Sequence, residues 1–394
     1  MLQVTHCDAG DFSGGDLLGL RRRLSTAERE QLAAIDEGVE ARIATPALEA
    51  WNRDAFAPDL LPDLVDLGFG DLVLSGASHL YQGLAHAALA RADLSLSALV
   101  GIHNELIIGM IHTFGSPKQQ DTWLPRLRAM EALGAFCMTE PGHGSDVAGG
   151  METQVRREGS GWVLNGAKRW IGLGTLADIA LVWARDAEDG RVKCFLVPTD
   201  APGYVATKIE HKIGLRIMQN ADITFDEVRL PATALLPGAV SFNAANDLLC
   251  VSRAWVGWQA VGAQQSVLSI LRDYVTERQQ FGRPLAGFQL IQGALSQIAG
   301  NLALSTSLMA DIARLQDDGG LDMAQAALAK ATVTRLARES AAMGRDAMGG
   351  NGIVADFGMA KTMCDIEAIY TYEGTHSINS LIVGRALTGV SAFV

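Results

Sequence analysis

The hydrophobic period of this chain changes twice, and those two changes limit what it can fold into. Up to residue 133 the apolar residues recur at helical spacing. Residues from 16 to about 50 read as helix, with Leu17, Leu18, Leu20 and Leu24 followed by Ser25-Thr26-Ala27-Glu28, a capped start to a second helix. Helical spacing continues over 58–133, where Leu80, Leu84, Ala87, Ala88 and Leu89 fall on one face. Residues 94–112 form a long, mostly apolar segment expected to be buried on most sides, with His103 and His112 as core or interface residues rather than ligands. At Gly134 the texture changes to short apolar runs between turn signals. They are Trp162-Val163-Leu164, Ile179-Ala180-Leu181-Val182-Trp183, Cys194-Phe195-Leu196-Val197 and Ile223-Thr224-Phe225. Asn165-Gly166 between apolar runs predicts a hairpin turn. From Val240 the helical period returns. One helix carries Trp255, Trp258 and Val261 and reaches Arg278, a second covers 290–315 and a third 323–348. A last one follows Ser377. Helices, then strands, then helices is an α+β order rather than an alternating βαβ one.

The boundaries predicted are a helical N-terminal domain over 1–133, an antiparallel β domain over 134–238 and a C-terminal helical bundle over 239–394. A chain of 394 residues exceeds the size at which one core stops growing. A net charge of −12 leaves no basic stripe for a nucleic-acid backbone, although a few local Arg or Lys suffice for a small anion. Cys7, Cys137, Cys194, Cys250 and Cys364 are odd in number and scattered, which predicts a reducing, cytoplasmic location and no metal cluster. The first residues, Met1 to His6, lack a signal-peptide pattern, and no run of membrane-spanning length is expected. No Gly-x-Gly-x-x-Gly, Walker A or internal repeat is present.

Chemistry concentrates in five stretches. Tyr372-Glu373-Gly374-Thr375 places a carboxylate between apolar runs, where burial would carry it toward the range of a general base. Gly374 permits close approach of backbone and ligand, while the plain alternative is a loop acid with Thr375 as a helix cap. The loop Met138-Thr139-Glu140-Pro141-Gly142-His143-Gly144-Ser145-Asp146 offers N–H and O–H groups to a polar ligand, or is only a strand exit. Trp170 in Lys168-Arg169-Trp170-Ile171-Gly172 is a flat wall for an aromatic cofactor or a core residue. Arg278-Gln279-Gln280-Phe281-Gly282 ends a helix with a cation that either grips phosphate or matches the helix dipole. Gly349-Gly350-Asn351-Gly352 admits a pyrophosphate or merely ends a helix.

Together these stretches resemble the acyl-CoA dehydrogenase family. Met-Thr-Glu-Pro-x-x-Gly-Ser-Asp, Asn-Gly-x-Lys-x-Trp-Ile, Arg-x-Gln-Phe-Gly, Gly-Gly-Asn-Gly and Tyr-Glu-Gly-Thr occur in the family's order, from about residue 80 onward. The C-terminal run from Thr371 to Gly389 looks most like the glutaryl-CoA dehydrogenase branch. The resemblance implies a homotetramer whose subunits have a helical N-terminal domain, a middle β domain and a C-terminal four-helix bundle. It implies FAD as cofactor, with Met138, Thr139, Trp170, Ile171 and Gly172 at the flavin ring. Arg278, Phe281, Gln289, Asp346, Gly349 and Gly350 would hold the dinucleotide end, and Thr375 would also contact FAD. Ser97, Ser145, Arg253 and Gly374 would line the substrate's path. Glu373 would take the α-proton of an acyl-CoA thioester while the β-hydride passes to flavin N5, and an electron-transferring flavoprotein would accept the electrons. Carrier-protein thioesters, an oxidase, and a non-catalytic thioester-binding protein are the alternatives.

Three positions depart from the family pattern. Gly172 stands where Thr or Ser is common, so a hydrogen bond of about 1 kcal/mol is lost or taken by water. Ser97 stands about where glutaryl members carry an Arg, which predicts a short acyl group without a distal carboxylate. Cys250 stands where many members have Asn or Asp, which leaves room for a carrier-bound substrate, and Ser252 cannot serve as the base that a minority of members place there.

Overall fold

The computed structural model describes residues 15–392, so Met1 to His6 and Cys7 lie outside the described residues. Helices occupy both ends of the chain and strands its middle, the expected order. By contact the chain forms two compact units. One comprises the described residues up to Asn52, Ala77–Ser97 and the chain from Arg253 on, and the other comprises Arg53–Gly76 and Ala98–Ser252.

The second unit is built on a seven-stranded sheet of β1 (Gly134–Cys137), β2 (Gln154–Glu158), β3 (Gly161–Gly172), β4 (Ile179–Asp186), β5 (Val192–Pro198), β6 (Tyr204–Lys208) and β7 (Asn220–Leu230). Its order is β1-β4-β2-β3-β7-β6, with β5 also on β4. The sheet is mixed rather than antiparallel, because β1 and β2 both run parallel to β4. No tight turn ties either strand to β4, so nothing local dictates an antiparallel pairing. The continuous apolar run of β4 follows from burial on both faces. Ile179, Leu181 and Trp183 pack into one core with Ile107, Ile108 and Ile111, while Ala180, Val182 and Ala184 join Trp162, Phe195 and Phe225 in another.

Asn165-Gly166 is not a hairpin turn. The β2–β3 turn is Gly159-Ser160, with Glu158 paired to Gly161 and Gly159 left-handed at φ 58°. Asn165 and Gly166 lie inside β3 at a register shift against β7. There Asn165 Nδ2 donates to Glu227 Oε1 at 2.8 Å, and Asn165 Oδ1 accepts from the Glu227 N–H at 2.9 Å. Gly166 is required because a Cβ would come within 2.6 Å of Thr153 Oγ1. The dipeptide therefore makes a bulge, in which a side chain replaces a ladder bond.

One expectation about the apolar helices also changes. Leu94–Phe114 is long and apolar enough to cross a membrane, contrary to the sequence reading, but 89% of its most apolar window is buried inside the protein. It is a core element, interrupted by a π-helical stretch over Ile102–Ile108. His103 is buried and its Nε2 lies 2.8 Å from the Leu127 carbonyl, and His112 is exposed on the single chain.

In the first unit, Ser25 and Glu28 form the expected capping box on Thr26–Gly38. The His79–Ala92 helix is buried nearly all round, not on one face, and Leu80 is only half-buried. Two glycines permit that closeness. A Cβ on Gly83 would fall 2.1 Å from Trp258 Nε1, and one on Gly262 2.2 Å from the Ala87 carbonyl. The C-terminal region holds Gln289–Asp317, Met323–Ala347, Met359–Thr371 and His376–Thr388 after the Phe242–Glu277 helix. Sequence periodicity had missed Met359–Thr371.

Buried polar groups fix this unit's interior. The Lys361 ammonium lies 2.7 Å from Asp93 and 3.0 Å from Asp365. Trp51 Nε1 donates to Asp365 at 2.8 Å. Burial opposes the Lys361 charge, but the two carboxylates carry its pKa above the usual lysine value. Removing the cation would strand two buried carboxylates. Lys361→Met should therefore destabilise the protein by about 3–5 kcal/mol, read from urea unfolding, and a loss under about 1 kcal/mol would refute the pairing. His86 is fully buried against Trp255 at 6.2 Å between ring centroids, and burial pushes its imidazole down to about 4. The unfolded chain takes up this proton near pH 6.5. Stability supplied by neutral His86 is thus present above that pH and is lost on acidification, by about 3 kcal/mol at pH 4. His86→Phe should lose correspondingly less stability than the wild type between pH 7 and pH 4, and an unchanged slope would exclude His86 as its source.

Candidate active site

Glu373 sits between two helices, in a turn with an unusual backbone. Tyr372 ends the Met359–Thr371 helix, and Thr375 caps the His376–Thr388 helix by accepting from the Ile378 N–H at 3.2 Å. Between them Glu373 and Gly374 are both left-handed, at φ 52° and 83°. For a non-glycine residue that conformation costs about 1–2 kcal/mol and persists only where surrounding contacts impose it. Here they do. Asn379 Nδ2 donates to the Gly374 carbonyl at 2.7 Å and the Thr375 carbonyl at 3.1 Å. Lys330 Nζ donates to the Gly374 carbonyl at 2.8 Å and the Tyr370 carbonyl at 3.1 Å. Arg253 Nε holds Asn379 Oδ1 at 2.8 Å. A side chain on Gly374 would press on Asn379 and Arg253, at 3.1 and 3.4 Å from the added Cβ. Glu373 itself is half-buried, less enclosed than its sequence surroundings suggested.

A chain of buried hydrogen bonds leads away from this turn. The Tyr372 hydroxyl donates to Gln259 Oε1, Gln259 Nε2 donates to Ser97 Oγ at 3.3 Å, and Ser97 Oγ donates to the His86 carbonyl at 3.3 Å. Burial, with Glu373 adding to it, raises the Tyr372 phenol well above its usual value, so it stays a proton donor. Ser97, expected to meet substrate, is instead fully buried and occupied within this chain. Arg253 is also buried, and its guanidinium supports Asn379.

The residues expected at a dinucleotide form a second, exposed group in the same unit. Arg278 follows the Phe242–Glu277 helix and opens a two-residue hairpin, Gln279-Gln280 against Arg283-Pro284. Phe281 and Gly282 form its tip with φ 52° and 77°, the geometry of a type I′ turn. Phe281 is 93% exposed. Gln289, Asp346, Gly349 and Gly350 are exposed as well. Nothing lies within 4 Å of a Cβ placed on Gly349 or Gly350, so their backbone is open to a ligand. Asn351, which the motif reading left without a role, bonds Tyr274 Oη at 3.1 Å and ties this turn to the Phe242–Glu277 helix.

In the sheet unit, Met138 and Thr139 follow β1 and are held by a buried ion pair. Lys168 Nζ donates to the Met138 carbonyl at 2.9 Å and to Glu140 Oε1 at 2.8 Å, and the Arg169 N–H donates to the Thr139 carbonyl at 2.8 Å. Trp170 is left-handed at φ 64° and 53% exposed, which presents its ring outward from a bulged strand. Ile171 points into the core, so only its backbone is available there. At Gly172 a Cβ would lie 2.7 Å from Met218 Sδ and 2.9 Å from Ile102 Cδ1, so a hydroxyl-bearing residue there would require the ends of these two flexible side chains to shift. Ser145 is exposed, beside a His143–Asp146 pair at 2.8 Å. Motif reading missed the supports Lys168, Lys330, Asn379 and Gln259. Lys168 lay within a quoted motif, whereas the other three carry no sequence signal.

Family models match the chain in three consecutive blocks. They are the acyl-CoA dehydrogenase N-terminal domain over residues 25–131, the middle domain over 135–228 and the C-terminal domain over 242–388. The mitochondrial isobutyryl-CoA dehydrogenase of Dictyostelium discoideum is 31% identical over 356 residues, covering 87% of this chain and 85% of that protein. A crystal structure of glutaryl-CoA dehydrogenase from Mycobacterium smegmatis superposes with a TM-score of 0.91 at 37% identity, covering 97% of this chain and 99% of the other. A glutaryl-CoA dehydrogenase from the same organism in complex with FADH2 gives a TM-score of 0.93 at 34% identity, covering 97% and 100%. With all three family domains present in order, the chain belongs to the acyl-CoA dehydrogenase family of FAD-dependent oxidoreductases.

Proposed function

We propose that this enzyme oxidises a short, uncharged acyl-CoA thioester, with Glu373 as the base that removes the α-proton. The observation that carries this reading is the Glu373-Gly374 turn, a strained carboxylate-bearing backbone held from below by Lys330 and Asn379. Strain of this kind persists where a side chain has to be aimed. The residues present suit FAD. Trp170 offers an exposed aromatic face, and Gly349, Gly350 and the Arg278–Phe281 hairpin offer open backbone and a cation for the dinucleotide end. When bound, FAD supplies the acceptor for the hydride that leaves the substrate's β-carbon. Glu373 takes the α-proton onto its carboxylate as that hydride leaves, and the backbone N–H groups of the turn favour negative charge on the thioester oxygen.

The rest of the reading follows from exposure and charge. Phe281 and Leu290, 93% and 89% exposed, suit coverage by a second copy within a homotetramer. An electron-transferring flavoprotein is the proposed acceptor, and the cytoplasm the proposed location. Ser97, sealed between His86 and Gln259, supplies no cation for a distal carboxylate. A dicarboxylic acyl group would therefore be buried unpaired.

Glu373→Gln should keep FAD and slow anaerobic flavin bleaching by the best thioester by about 10³-fold, the usual worth of a positioned base. Bleaching at the wild-type rate would remove Glu373 from the mechanism. In the wild type, kcat/KM for butyryl- or isobutyryl-CoA should exceed that for glutaryl-CoA by about 100-fold, as expected for one unpaired buried charge. The reverse preference would overturn the proposed substrate class.

A further inference from the structure

Lys330 lies in the Met323–Ala347 helix with no exposed surface. A buried ammonium is costly unless it is paired, and lysines inside helical cores usually meet a carboxylate. This one does not. Its Nζ donates to two backbone carbonyls, Tyr370 at 3.1 Å and Gly374 at 2.8 Å. Those carbonyls bracket Glu373. One belongs to the last turn of the helix before it, and the other to the residue after it. The Gly374 carbonyl also takes Asn379 Nδ2 at 2.7 Å, so two donors converge on one oxygen beside the acid. Burial pushes the Lys330 ammonium down to about 7, with Arg253 adding to the fall and Glu373 opposing it. A group whose charge is that weakly retained is poorly suited to stabilising the core by charge alone.

We infer that Lys330 is a positioning residue for the proposed reaction, its side chain clamping the Tyr370 and Gly374 carbonyls and so fixing the left-handed turn that aims Glu373. The inference rests on the reading of Glu373 as the base. A misplacement of about 1 Å in such a group is enough to lower a rate about 100-fold. Lys330 touches neither substrate nor flavin; it acts through Glu373.

The test uses the FAD-loaded protein and three variants, Lys330→Met, Lys330→Gln and Glu373→Gln, with butyryl-CoA and isobutyryl-CoA as probes. Three quantities are measured per FAD: the apparent Kd from the flavin spectrum, the anaerobic bleaching rate at saturation, and deuterium exchange at the substrate's α-carbon in heavy water. Lys330→Met should bind the probe with a Kd within about threefold of wild type, yet lose about 100-fold in both bleaching and α-exchange. Lys330→Gln keeps an N–H donor for one carbonyl and should recover to within about 10-fold of wild type. A bleaching rate within threefold of wild type in FAD-loaded Lys330→Met would overturn the inference, as would a loss confined to Kd. If neither Lys330 variant folds and loads FAD, the lysine serves folding and the positioning role is wrong. Glu373→Gln separates the two levels. Should that variant bleach normally, or the wild type bleach with neither probe, the functional reading fails and the inference with it. If Glu373→Gln is inactive while Lys330→Met is unimpaired, only the inference fails.

Discussion

The carbonyl of Gly374 accepts from both Lys330 and Asn379, and the candidate active site depends on that convergence. Without it, two successive left-handed residues, one of them a glutamate, would relax toward an ordinary helix cap. The turn joins two helices whose sequences are unremarkable, so the backbone shape at Glu373 is imposed from a distance. Lys330 is 43 residues upstream and Arg253, which braces Asn379, is 120 residues upstream. Local propensity does not choose this conformation; tertiary donors do.

The same device recurs in the sheet unit. There Lys168 is buried and donates to the Met138 carbonyl, with Glu140 balancing its charge. Both lysines spend a hydrogen bond on main-chain oxygen beside a candidate site segment. Lys361 differs, because its partners are two carboxylates and an indole completes the cluster. That cluster stabilises the helical unit by pairing charge with charge. The comparison separates buried cations that aim backbone from one that neutralises charge.

How much of this was legible in the sequence depends on the range of the interaction. Short-range signals were readable, as with the Ser25–Glu28 box and the apolar runs that became β3, β4, β5 and β7. The placement of Glu373 near an apolar helix end was also readable, though not its left-handed backbone. Asn165-Gly166 misled because a bulge and a hairpin demand the same residue types, and only the partner strand distinguishes them. The one-face reading of His79–Ala92 failed because small residues, Gly83 and Ala87 among them, let neighbours close on the polar side of the stripe. Lys330 was invisible. Among Ala326, Ala327, Ala329 and Ala331 a single lysine reads as the solvated position of an alanine-rich helix. Its burial appears only when the chain ahead of Glu373 is laid over it.

The departures from the family pattern have local physical causes, which bears on how they should be read. Gly172 is not simply a lost hydroxyl. Met218 and Ile102 occupy the volume a side chain would need, so glycine and its two neighbours form one packed solution. Restoring a threonine would require the Met218 and Ile102 side chains to move before its hydroxyl could reach a partner. Ser97 likewise belongs to a set, because Gln259 spans from it to Tyr372, next to the acid. An arginine at residue 97 would have to displace that bridge and would disturb the backbone that carries Glu373. Residue 97 and the turn at Glu373 are therefore coupled through Gln259, and a larger side chain at residue 97 requires a compensating change at residue 259.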